Sequence, residues 1–192
     1  MTLQAAYSVA MFNEDRVILS LCDYSGSWSR PYVEAGYTVK QLDLKTTGDI
    51  RLFEYPGHVH GILAAPPCTD FAVSGARWWE SKTDQDLIEA LSVVDACLRL
   101  VTVCQPKWWA LENPVGRLYR WLGEPAMYFD PCDYGDPYTK KTGLWGRFNK
   151  ALPQKPVEPT EGSKMWSQYG GKSEYTKTMR SMTPEGFARA FY

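Results

Sequence analysis

Apolar residues in the first seventy or so positions fall into three short blocks, and each runs straight into polar, small or proline residues. Val17-Ile18-Leu19-Ser20-Leu21-Cys22-Asp23 is apolar with β-branched members, the pattern of a strand buried on both faces of a parallel sheet. It leads into Tyr24-Ser25-Gly26-Ser27-Trp28-Ser29 and then a helical segment from Arg30 to Ala35 that Gly36 stops. Tyr37 to Leu44 alternates well enough to predict a second strand, with Asp43 near its end. A loop carrying Gly48-Asp49-Ile50 follows, and the third strand, Gly61 to Ala65, is cut off by Pro66-Pro67-Cys68. Three strand-and-connection units in about seventy residues predict an α/β chain, with a Rossmann-like, mostly parallel sheet and helices on both faces.

Beyond the third strand the period changes. Ser81 or Thr83 caps a helix, Asp84 and Asp86 stand where a capping box needs them, and Leu87, Leu91, Val94, Leu98 and Val101 recur in steps of four and three. Cys97 and Cys104, on or near that face, read as small core residues. Pro106 ends the helix, and Trp108-Trp109-Ala110-Leu111 is a short strand running into Glu112-Asn113-Pro114. Val115 to Leu122 predicts a short helix, and Gly143 to Gly146 a further strand. The whole divides into an arm (1–15), a core (16–150), a loop (151–178) and a helical end (179–192), forming one domain. In the helical end Thr183 reads as N-cap and Pro184 as the first helical residue.

Composition narrows the function. The formal net charge of the 192 residues is -1, so any nucleic-acid contact has to be local. Five cysteines without a Cys-x-x-Cys pair, and two histidines, fit neither a disulfide framework nor a zinc cluster and point to reduced thiols in a cytoplasm. No apolar run approaches the roughly 20 residues that span a bilayer. Eight tryptophans and twelve tyrosines serve either the core or a surface on which flat bases stack.

The polar residues at the predicted strand ends carry the chemistry. Ligands of open α/β sheets bind outside the carboxyl ends of the strands. That rule brings Gly26, Asp43, Asp49, Cys68 and Glu112 to one rim. Pro66 and Pro67 fix their own φ, so the loop presenting Cys68 is stiff. Gly26 lets backbone approach a ligand, and Asp43, about twenty residues on, stands where nucleotide-binding sheets place the carboxylate that binds ribose. A thiolate adds to an electron-poor ring carbon, and a carboxylic acid near a ring nitrogen stabilises the adduct. No histidine base stands near Cys68, which argues against a cysteine protease or acyl transferase.

Asp23-Tyr24-Ser25-Gly26-Ser27, Asp43, Gly48-Asp49-Ile50, Pro66-Pro67-Cys68-Thr69-Asp70-Phe71 with Ser74-Gly75, and Glu112-Asn113-Pro114 together resemble the catalytic core of the cytosine-5 DNA methyltransferases. Arg180-Ser181-Met182-Thr183-Pro184-Glu185 resembles a late motif of that family, and the likeness covers residues 17–147 and 180–192. Related adenine methyltransferases place an aromatic residue after their paired prolines, so the resemblance selects cytosine. It implies a minimal core of the phage or bacterial kind, with S-adenosylmethionine held by Tyr24, Gly26, Asp43, Asp49 and Pro66. Cys68 would attack C6 of a flipped cytosine and Glu112 would donate to N3, with Pro67, Asn113 and Lys140 or Lys141 on the substrate side.

Four departures shape the expectation. Trp28 and Ser29 stand where the family has further glycines, which predicts an altered cofactor turn and keeps open a non-catalytic binding module. Thr69 and Ala72 replace a usual glutamine and serine. A target-recognition domain is missing, and about thirty loop residues take its place. The implied substrate is therefore DNA with loose specificity or a separate specificity subunit, a single strand, or a cytidine nucleotide. The same thiol addition would also serve an enzyme that places another group at pyrimidine C5.

Overall fold

β1 (Val17–Leu21), β2 (Thr38–Leu42), β3 (Gly61–Ala64), β4 (Trp108–Pro114), β5 (Met127–Phe129) and β6 (Thr142–Arg147) make one sheet, ordered β2-β1-β3-β4-β6-β5. The computed structural model describes residues 13–55, 57–169 and 173–192, so most of the expected arm lies outside the described residues. β2, β1, β3 and β4 pair in parallel, while β6 runs antiparallel to both of its neighbours. The sheet is mixed, with a single reversed strand.

Each inner strand feeds two cores because its side chains alternate between faces. Leu19, Leu21, Ile62, Ala64, Leu111 and Trp145 meet Val94, Cys97 and Leu100 of α2 (Asp84–Cys104) on one side. Ile18, Leu63, Ala110 and Leu144 meet Tyr32 of α1 (Arg30–Glu34) and Phe187, Ala188 and Phe191 of α6 (Glu185–Phe191) on the other. Thr83 and Asp86 cap α2 reciprocally, the Asp86 amide donating to Thr83 Oγ1 at 3.2 Å and the Thr83 amide to Asp86 Oδ2 at 2.8 Å.

Three boundaries differ from the sequence expectation. The helix expected over Val115–Leu122 shrinks to α3 (Tyr119–Leu122), because Val115 and Arg117 are spent on the loop after Cys68. The stretch 151–178 holds α4 (Lys164–Ser167) and most of α5 (Glu174–Ser181). α5 has no buried residue, so it lacks an apolar stripe to read; the Ser173 cap and a Glu174–Lys177 ion pair at 2.6 Å support it instead. At α6 the N-cap is Pro184, not Thr183, which is buried. The missing cap acceptor comes from a distant loop, where Asp136 Oδ2 accepts from the Gly186 amide at 2.9 Å.

Candidate active site

The parallel register places Leu21 opposite Leu42 and Ala64, and Ala64 opposite Leu111. The turns after β1, β2 and β3 therefore leave one rim, and Glu112 sits on the same rim in β4.

The turn after β1 is organised by Asp23, which is buried. Its Oδ2 accepts from Ser20 Oγ at 2.8 Å and Ser29 Oγ at 3.1 Å, and its Oδ1 from Ser25 Oγ at 3.3 Å. Gln41 of β2 donates to the carbonyls of Asp23 and Tyr24. Gly26 has φ +65°, and a Cβ there would press on Gln41 Oε1 at 3.2 Å, so both conformation and space favour glycine. Trp28 does not enter the turn's cleft. It is fully buried beside Phe191 (5.4 Å between ring centres) and Phe187 (6.0 Å), while Ser29 serves Asp23. The two non-glycine residues thus support the turn from behind. Ser27 Oγ is buried without a partner and lines a cleft of about 190 Å³ together with Arg30, Tyr138, Met182 and Thr183.

Asp43 is half-buried and its Oδ1 accepts from the Lys45 amide at 2.9 Å. Tyr24 is exposed beneath Lys45 Nζ, 4.9 Å from its ring centre. Asp49 is already engaged: Arg51 donates to both its oxygens, at 2.9 and 2.5 Å, and holds its carboxyl below the usual range. Arg51 also reaches Glu89 at 2.5 Å, so Asp49 ties its loop to α2.

Cys68 and Glu112 come together, and both feel the charge of Lys140. Glu112 is buried, and burial pushes its carboxyl above the usual range, with Lys140 opposing and Asp23 adding to the rise. Burial likewise pushes the Cys68 thiol up, against the charges of Lys140 and Arg180. Lys140 Nζ donates to the Arg180 carbonyl at 2.9 Å, which pins the late segment over the site. Lys141 goes elsewhere, its Nζ lying 5.5 Å from the Tyr128 ring centre, so only one of the expected lysine pair serves the thiol.

Asn113 joins the two motifs. Its Nδ2 donates to the carbonyl of buried Pro66 at 3.0 Å, and its Oδ1 is buried without a partner. Val73 donates to the Val115 carbonyl, and the Arg117 amide to the Phe71 carbonyl, each at 2.8 Å. A Cβ on Gly116 would collide with that same Phe71 oxygen, so this crossing requires glycine. Pro67 is exposed at the turn of the loop. Sequence reasoning passed over Asp23, Gln41, Tyr138 and Arg180 as site residues. Asp23 and Arg180 lay inside the quoted motifs, whereas nothing local marks Gln41 or Tyr138.

Sheet order, one reversed strand and loops clustered on one rim define a Rossmann-like methyltransferase fold. The solved structures include a protein described as a DNA modification methyltransferase encoded within an E. coli prophage, similar at a TM-score of 0.53 and 16% identity. The match covers 74% of this chain and 53% of that one, so this chain spans about half the neighbour's length. No family model and no curated protein matches the sequence. Among the described residues no helix is long and apolar enough to cross a membrane.

Proposed function

We propose that this protein is an S-adenosylmethionine-dependent methyltransferase acting on C5 of cytosine in DNA through a covalent adduct at Cys68. The observation that carries the reading is the shared environment of half-buried Cys68 and buried Glu112, two groups of opposite chemical duty that both feel the charge of Lys140. The neighbour's description as a DNA modification methyltransferase supports the choice of polymer.

The cofactor fits the residues present. Gly26 lets the turn keep its left-handed bend against Gln41, Ser27 Oγ is an unpartnered polar atom, and Asp43 has a carboxylate oxygen to spare for a ribose. Tyr24 would border the same ligand, while Pro66 shapes the loop and Asp49 is committed to Arg51. S-adenosylmethionine, when bound, supplies an electrophilic methyl group.

The chain's own residues would act as follows. The Cys68 thiol releases its proton to water and its sulfur bonds to C6 of cytosine, so that the C5=C6 π pair shifts and makes C5 nucleophilic. Glu112, whose carboxyl burial pushes above the usual range, is the acid that gives its proton to N3, so that its carboxylate takes up the negative charge that would otherwise build on the ring. Lys140 and Arg180 offset the cost of forming the thiolate in a half-buried site. After C5 is methylated, loss of its proton expels the Cys68 sulfur and restores the ring. Fluorine in place of that proton blocks the last step. An oligonucleotide carrying 5-fluorocytosine, incubated with the cofactor, should therefore give a stable Cys68-linked adduct, and Cys68→Ser should give none. Cofactor binding without adduct or methyl transfer would sink the proposal, and the mass of the modified base reports which group C5 receives.

A further inference from the structure

Aromatic rings paired with cations surround the Cys68 loop, and the chemistry above uses none of them. The chain after Cys68 turns through a 3-10 helix (Val73–Ser81), where Trp78 is 47% exposed and the Arg77 guanidinium carbon lies 5.2 Å from its ring centre. The Arg117 guanidinium carbon lies 4.8 Å from the ring centre of adjacent Trp79. Arg117 leads into α3, whose Tyr119 and Trp121 are 44% and 42% exposed, and Trp121 meets Phe71 edge-on at 6.2 Å. Tyr128 on the edge strand β5 is equally open, lies within electrostatic reach of Tyr119 and carries Lys141 over its ring.

Hydrogen bonds make this one surface. The Val73–Val115 and Phe71–Arg117 bonds join the segment bearing Trp78 to the segment bearing Tyr119 and Trp121. Arg77, Lys82, Arg117, Arg120 and Lys141 outnumber Asp70, Glu80 and Glu124 along it, although the chain as a whole carries -1. Lys82 is paired with Asp70, and the Tyr128 hydroxyl donates to Glu124 at 2.9 Å. Four exposed rings on segments joined in this way are more than a soluble surface needs.

We propose that this surface is a stacking platform for unpaired DNA, which it leads to Cys68; single-stranded DNA is then the substrate class. The proposal rests on the methyltransferase reading for what happens at Cys68, but the platform itself binds without that chemistry. A duplex hides its base faces, while a single strand offers every face to a ring and its phosphates to cations placed beside the ring. Stacking does not select a base, so binding to this surface should be tolerant of sequence.

The test is fluorescence anisotropy with the full chain, no cofactor, and labelled oligonucleotides that lack cytosine. The single strand should bind at least tenfold tighter than the duplex of the same length. Trp78→Ala and Trp121→Ala should each weaken single-strand binding by roughly tenfold, within the range of one base–aromatic stack, and Trp78→Phe should restore most of it. Circular dichroism and melting of each variant separate lost stacking from lost folding, and Arg77→Ala supplies a second disruption that leaves the rings in place. Equal or tighter binding of duplex, tighter binding of the corresponding RNA, or unchanged affinity in folded Trp78→Ala and Trp121→Ala would overturn the proposal. Because these strands contain no cytosine, their failure is distinct from failure of the 5-fluorocytosine trap.

Discussion

Asn113 Nδ2 donates to the Pro66 carbonyl at 3.0 Å, so the strand that carries Glu112 also holds the loop that carries Cys68. Two motifs 47 residues apart become one rigid unit through that bond. Replacing Asn113 by Ala leaves the buried Pro66 oxygen unpaired, at an expected cost of roughly 1–3 kcal/mol. Adduct formation with 5-fluorocytosine DNA should fall more than DNA binding does. Equal losses in both would show that Asn113 merely stabilises the fold.

The Gly116 crossing makes a second demand on the same unit. Gly116→Ala forces a methyl group against the Phe71 carbonyl and should destabilise by roughly 1–3 kcal/mol, the cost of overpacking. Thermal unfolding measures the loss, and alkylation of Cys68 followed by peptide mass mapping should speed up as its loop loosens. An unchanged melting temperature would show that the loop accommodates the methyl freely.

Lys140 and Lys141 should separate cleanly. Lys140 opposes the burial that raises the Cys68 thiol, so Lys140→Gln moves that titration further up and slows alkylation at every pH below the plateau. Lys141 faces Tyr128, and Lys141→Gln should leave the alkylation profile in place. Equal effects would contradict the assignment of Lys140 alone to the site.

Glu112 makes the protein sensitive to rising pH. Its folded carboxyl titrates above the ordinary range, so between the two values the folded state holds a proton that the unfolded state has lost. Stability contributed by this group is then present at low pH and declines as pH rises through the raised value. Glu112→Gln keeps the shape without the charge. At a pH above the raised value it should gain roughly 0.5–2 kcal/mol over the parent, the range of a single stabilising substitution, while losing adduct formation. The melting-temperature gap between variant and parent should widen with pH from the ordinary carboxylate range upward; a gap independent of pH contradicts the buried acid.

Trp28→Gly would bring the turn closer to the family's glycine pattern, yet it should harm the protein. Removing a fully buried indole from beside Phe187 and Phe191 is expected to cost roughly 3–5 kcal/mol, the range for large-to-small changes in a core. Tighter cofactor binding by a stably folded Trp28→Gly chain, measured by calorimetry, would contradict the structural role given to Trp28.

By itself the sequence determined every β-strand block but β5, the long α2 with its Thr83–Asp86 cap, and the stiff loop at Cys68, because period, capping and proline geometry act within a few residues. The resemblance of its motifs picked out Cys68 and Glu112 as a pair. Tertiary structure alone decided that Lys140 and not Lys141 faces them, since adjacent residues of an extended segment point to opposite sides. It also decided that Asp49 pairs with Arg51, that Asp136 caps α6 from fifty residues away, and that Trp28 lies in the core behind the turn after β1. α5 buries no residue, so its sequence shows no core-facing stripe, and a local cap and ion pair hold it instead. Local rules delivered the rim of the sheet; long-range contacts chose which of its residues are free to act.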